Sequence, residues 1–331
     1  MGAAEYLSLV SFDELCSMSL WRKPRHGSTW TFLKLNGLHL ILTYRCDSEC
    51  DHCFVWGSPR QSGTMSLADI HEVLSQAKEL RTLDWIYFEG GEPFLYYPVL
   101  LLGVREASAS GFKVGIVSNC YWATTFEDAH ECLRPFAGLV SSLSISSDHY
   151  HSSDKLSSRA RNAFSAAEQL GIPAGIITVA QPQEEGASAI GQLPHGESAV
   201  MFRGRAAGEL TTRVPQAPWD SFTKCEHEKL HEPGRLHVDP FGNLHICQGI
   251  RIGNLHRTRL RELCARYNPG RHPIVGPLLE GGPMELADRY GVPHKQRYAD
   301  ACHLCYEARK ALRGRFPEAL GPDQMYGVIS I

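Results

Sequence analysis

Three cysteines stand close together in the chain: Cys46, Cys50 and Cys53, separated by three and then two residues. Thiolates on so short a loop can converge on one soft centre, and sulfur ligands select zinc, cuprous copper or iron–sulfur clusters. A cubane of four irons normally takes four protein thiolates. Three thiolates leave one iron open, and an open coordination position is where metal chemistry occurs. The competing reading is a structural zinc with His52 or Cys120 as fourth ligand. Such sites usually pair two C-x2-C units, which this loop lacks.

The neighbouring residues indicate how the loop is held. Leu38–Tyr44 is an apolar run of strand length. It follows a second such run, Thr29–Leu35, and the pair Asn36-Gly37 between them predicts a hairpin. The cysteine loop then lies past the carboxyl end of a strand, where open α/β sheets and barrels place their sites. Trp85–Glu89, followed by Gly90, Gly91, Glu92 and Pro93, reads as a second buried strand ending in a glycine turn with an acid. The intervening length suits a βαβ unit.

Further strands are predicted at Phe112–Val117, Leu143–Ser147, Pro173–Val179 and Ala199–Gly204. Helices are predicted from a capping-box-like Ser66 through Leu80, from Tyr97 to Ser110 before Gly111, and from Ser158 to Leu170 before Gly171. Residues 181–198 read as a loop. Alternation of this kind predicts parallel strands with covering helices, an α/β fold whose six units fit a partial barrel. Residues 1–28 read as a short helical lead with Phe12, Leu15 and Cys16 as packing residues, 29–207 as the barrel, and 208–331 as a smaller second domain. Pro215 and Pro218 mark the linker, and Leu236–Ile246 reads as a hairpin turning at Asp239-Pro240 and Gly242-Asn243.

The three-cysteine loop and the Gly90-Gly91-Glu92-Pro93 strand end, in this order, resemble the radical S-adenosylmethionine enzymes. The resemblance implies a TIM-like partial (β/α)6 barrel and a [4Fe–4S] cluster on Cys46, Cys50 and Cys53. It implies S-adenosylmethionine bound at the open iron, with Gly90, Gly91 and Glu92 at its amino group. Reductive cleavage would give a 5′-deoxyadenosyl radical that removes a hydrogen atom from substrate. His52 stands where the family has an aromatic residue before the last cysteine. Asn119, Ser146 and Asp148 match positions that face the cofactor. An electron donor such as a flavodoxin or ferredoxin is implied as partner.

A second cysteine set comprises Cys225, Cys247, Cys302 and Cys305. Spacing alone leaves zinc and an iron–sulfur cluster equally open for such a closed four-thiolate site. The order Cys225, Gly242-x4-Cys247, Cys302-x2-Cys305 resembles the twitch or SPASM extension of radical enzymes and implies one auxiliary [4Fe–4S] cluster. Cys264 is the substitute for Cys225, with a buried helix position the better reading for it. Arg203-Gly204-Arg205 reads equally as an anion site for substrate or as surface. Cys120 reads as packing, or as the hydrogen donor of a redox-neutral epimerase. An oxidative or bond-forming modification is the favoured reaction. Other function classes are a zinc-stabilised binding protein and an electron carrier.

The 331 residues, 43% apolar and 21% charged with formal net charge −3, describe an ordinary globular protein with no nucleic-acid footprint. No apolar run is long enough to span a membrane. Eleven cysteines without a signal-like start argue for metal binding in a reducing cytoplasm. The short lead favours a small metabolite over a leader-guided peptide as substrate.

Overall fold

The structure, a computed structural model, describes residues 33–183, 186–189 and 195–329. These belong to one compact unit, Thr31–Ile331. The expected helical lead over 1–28 lies outside the described residues.

Six strands lie parallel in sequence order: β1 (Gly37–Thr43), β2 (Trp85–Gly90), β3 (Lys113–Ser118), β4 (Ser142–Ser146), β5 (Ala174–Val179) and β6 (Gly196–Ser198). Helices α1 (Leu67–Ala77), α2 (Tyr97–Ala109), α3 (Phe126–Leu133) and α4 (Ser158–Gln169) make the crossovers between β1 and β5. Successive strand residues face opposite ways. Leu38, Leu40, Ile86, Phe88, Val114, Ile116, Leu143 and Ile145 are fully buried in the core. The alternate positions His39, Tyr87, Glu89, Ser142 and Ser144 line the interior of the curved sheet. The protein is α/β with a largely parallel sheet, as its pattern predicts.

On the other edge of β1 the sheet continues. β7 (Arg235–Val238) pairs parallel with β1, and β8 (Asn243–Cys247) and β9 (Ile250–Asn254) add antiparallel strands, giving a nine-stranded sheet. The hairpin expected at Leu236–Ile246 is β7–β8. Its buried Asp239 accepts hydrogen bonds from Phe241 N, Asn243 N, Asn243 Nδ2 and Tyr44 Oη, and His245 Nε2 lies 3.0 Å away. The turn is thus tied to the end of β1. Helices α5 (Leu260–Arg266), α6 (Val275–Arg289) and α7 (Ala301–Leu312) complete this region, and α7 packs on α6. Among the described residues no helix is long and apolar enough to cross a membrane.

Two local expectations fail. Asn36-Gly37 is not a hairpin turn. Gly37 opens β1, while Leu33–Leu35 are not in a strand, and Leu33 N bonds to Cys264 O. β1 is a central strand already paired on both edges, by β2 and β7, so no preceding strand can add to it. The sixth strand is Gly196–Ser198 rather than Ala199–Gly204. Gly204, at φ +63°, turns the chain at the point where it meets the cysteine loop.

Candidate active site

The cysteine loop leaves β1 and returns along its own start: Cys46 N donates to Ser58 O at 3.1 Å and Gly57 N to Cys53 Sγ at 3.2 Å. Cys46 and Cys50 are buried, Cys53 is half-buried, and all three are free thiols. The end of β2 passes directly against this loop. Gly91 N donates to Thr43 O at 2.7 Å and Glu92 N to Arg45 O at 2.9 Å. A methyl group at Gly91 would fall 2.1 Å from Arg45 O, so only glycine permits the approach. One at Gly57 would meet Cys46 Cβ and Gly91 Cα at 3.3 Å and the Cys53 sulfur at 3.6 Å. Thiols and glycine turn are therefore packed together.

Gly90, Gly91, His52 and Asn119 line a cavity of about 450 Å³ inside the sheet. Asn119 Nδ2 reaches Asp47 Oδ1 at 2.7 Å and Cys46 Sγ at 3.8 Å. Glu92 sits behind the turn, fully buried. It accepts from Phe94 N, Ser118 Oγ and Asn119 N, joining the ends of β2 and β3. Burial pushes its carboxyl up to about 7 against those hydrogen bonds.

The remaining expected residues are placed differently from one another. Ser142 and Ser144 line the cavity, and Ser146, half-buried, shares their face at the end of β4. Asp148 is buried one turn further on. It accepts from Val179 N, Tyr150 N and His151 N, and its Oδ1 lies 2.8 Å from His151 Nδ1. Its Oδ2 is 3.9 Å from His52 Nε2. Burial lowers His52 to about 4, so its ring is neutral beside Tyr150. Burial opposes protonation of His151, but Asp148 and the adjacent Cys50 thiol outweigh it and raise His151 to about 10. Cys120, at φ +58°, is fully buried in the hydrophobic core, and the cavity lining does not include it. This burial favours the packing reading of Cys120 over the hydrogen-donor one.

The four later cysteines come together. Cys225, Cys247, Cys302 and Cys305 line one small pocket, whereas Cys264 is packed in the core on α5. Two buried guanidinium groups stand beside the four thiols. Arg203 Nη1 lies 3.5 Å from Cys247 Sγ and 3.0 Å from Glu228 Oε1, and Arg309 Nε donates to Cys305 O at 3.3 Å. Burial pushes the Cys225 thiol up to about 12 and raises those of Cys302 and Cys305. Those three thiols stay protonated when bare, and a bound metal takes thiolates. Three sheltered thiols at the first site and four at the second, with buried cations beside the latter, fit iron–sulfur clusters as donor sets.

Arg203-Gly204-Arg205 is buried rather than surface: Arg203 lines the cavity and pairs with Glu228, while Arg205 faces the cysteine loop. Arg205 donates to Cys50 O at 2.6 Å and Gly57 O at 2.8 Å. The backbone of Gly204 lies so close to the loop that an added methyl would sit 2.5 Å from Cys53 O. Two arginines around a glycine after a strand carry no sequence signal for such a clamp. Arg309 and the interior set His39, Glu89 and His237 were also not singled out. Charged residues at alternate positions of apolar strands were the available signal for that set.

Residues 40–184 match the family model of the radical SAM superfamily. The chain carries a radical SAM domain. The family uses a [4Fe–4S] cluster and S-adenosylmethionine, and both cofactor motifs fall within the matched span. Over 199 residues the chain is 27% identical to YydG of Bacillus subtilis (strain 168), named for peptide biosynthesis. That match covers 58% of this chain and 62% of YydG. Over 83 residues it is 35% identical to the tungsten-containing aldehyde ferredoxin oxidoreductase cofactor-modifying protein of Pyrococcus furiosus (strain ATCC 43587 / DSM 3638 / JCM 8422 / Vc1), covering 25% of this chain and 23% of that protein. The chain thus spans less than two thirds of either relative. Streptococcus suis SuiB bound to its precursor peptide SuiA superposes with TM-score 0.48 at 12% identity, over 76% of this chain and 74% of that one.

Proposed function

We propose that the chain is a radical S-adenosylmethionine enzyme that abstracts a hydrogen atom from a substrate held in the sheet interior and oxidises that substrate or forms a bond in it. When bound, the [4Fe–4S] cluster and S-adenosylmethionine would supply reductive cleavage to a 5′-deoxyadenosyl radical. In this reading Cys46, Cys50 and Cys53 hold the cluster. Gly90 and Gly91 present backbone to the cofactor, and Asn119 and His52 border it. Glu92 holds the turn in place from behind, Ser146 lies on the cofactor side, and Asp148 acts through His52 and His151. Cys225, Cys247, Cys302 and Cys305 hold an auxiliary cluster in the region after residue 207.

One observation carries the oxidative form. A single cavity is walled by Gly90, Gly91 and Asn119 beside the first thiols and by Arg203 and Gln248 beside Cys247. A substrate there lies between the two cysteine groups, so an electron can leave towards the second. The likeness to YydG favours a peptide over the small metabolite suggested by the short lead.

Anaerobic reconstitution tests this. The wild type should bind about eight irons, and Cys302→Ala about four. Both should convert S-adenosylmethionine to 5′-deoxyadenosine under reduction, while Cys50→Ala should not. Zinc in place of iron and sulfide at the first site, or cleavage that survives Cys50→Ala, would overturn the proposal.

A further inference from the structure

In the lining of the same cavity, three side chains from three adjacent strands converge. His39 on β1 is in register with His237 on β7, and Glu89 on β2 pairs with Ile41, two residues along β1. His39 Nδ1 lies 2.9 Å from Glu89 Oε2, and His237 Nε2 lies 3.1 Å from Glu89 Oε1. One donor atom from each residue lies within 4.8 Å of the other two. Bonds of about 2.1 Å in an octahedral arrangement place neighbouring donors about 3 Å apart, the separation of each imidazole from one oxygen of Glu89.

Two further facts point to a ligand. The His237 side chain is 7% exposed and that of Glu89 12%. Yet His237 Nδ1 is buried without a hydrogen-bond partner among the described residues, while Glu89 Oε1 is met by His237 Nε2 at 3.1 Å. A carboxylate so sheltered is costly to keep charged, and a cation on it lowers that cost. The ring of His39 is held by stacking on Tyr87 at 4.7 Å, which orients its Nδ1.

We propose that His39, Glu89 and His237 bind a divalent transition-metal ion, with the remaining coordination positions open to the cavity. Two imidazoles and one carboxylate suit manganese, ferrous iron or zinc rather than calcium or magnesium, which prefer oxygen alone. Among the described residues no group braces the outer nitrogen of His237, and such bracing raises affinity. The ion is therefore exchangeable rather than permanent. Its open positions can take an oxygen or nitrogen of whatever occupies the cavity. The binding itself does not depend on radical chemistry.

Manganese(II) is the probe, because it favours nitrogen and oxygen over thiolate. Anaerobically reconstituted full chain is titrated with it while the signal of free manganese is followed by electron paramagnetic resonance. The wild type should bind about one ion per chain. Glu89→Gln and His237→Ala should each weaken binding by about tenfold or more, with iron and sulfide content unchanged. If either variant loses iron, His39→Gln serves as the third test of the same ligand set. No manganese or zinc uptake by the wild type, or equal uptake by the folded variants, would show a hydrogen-bonded trio only and end the proposal.

Discussion

Arg205 offers the sharpest perturbation. Its guanidinium is buried, donates to two carbonyls of the cysteine loop at 2.6 and 2.8 Å, and lies 5.3 Å from the Trp56 ring. Hydrogen bonds from a charged donor contribute about 1.5–3 kcal/mol each. Arg205→Met keeps most of the stem packing but leaves Cys50 O and Gly57 O without those donors, so it should cost about 3–6 kcal/mol. Arg205→Lys keeps the charge but not the fork, and should lose about half of that. A domain of ordinary stability holds about 5–15 kcal/mol in total. The methionine variant therefore sits near the folding threshold, and the lysine variant is the one to measure. Urea unfolding of the apoprotein reads the loss, and iron per chain after reconstitution reads whether the loop still presents its thiols. If Arg205→Met unfolds within about 1 kcal/mol of wild type and loads iron in full, the clamp is not what holds the loop.

Gly204→Ala combines a left-handed φ with a 2.5 Å approach to Cys53 O. It should cost at least about 1–2 kcal/mol and lower iron content, read by the same two assays. Cys120→Ala should lose about 1–2 kcal/mol of stability while 5′-deoxyadenosine formation is retained; loss of cleavage in a folded variant would contradict the core placement. Glu92 has its folded value raised to about 7 from 4.5. The folded apoprotein therefore binds the extra proton, and this contribution is full below about 4.5 and lost as pH rises to about 7. The decline amounts to about 3 kcal/mol at most. Glu92→Gln should flatten that slope in a series of urea midpoints, and an unchanged slope would refute the assignment.

Much of the fold is legible along the chain because its signals are local. The apolar alternation of β1 to β5, the Ser66 cap and the glycines that end α2 and α4 act over a few residues each. They place those elements within a residue or two at most boundaries. The hairpin at Asn36-Gly37 misleads for the converse reason. The pair is a turn former, but β1 is claimed on both edges by strands from residues 85 and 235 onward, and long-range pairing outweighs local turn propensity.

The site divides along the same line. The type and spacing of Cys46, Cys50 and Cys53, and of the Gly90-Gly91 turn, specify a chemistry by themselves, since convergent thiolates on a short loop need little else. What tertiary structure decided is everything that depends on residues far apart in the chain. It set Arg205 against Cys50 and Gly57, sank Cys120 into the core, gathered four cysteines from residues 225 to 305 around one pocket, and brought His39, Glu89 and His237 together inside the sheet. Whether an arginine is a surface charge or a buried clamp depends on which carbonyls arrive opposite it, and only the folded chain determines that.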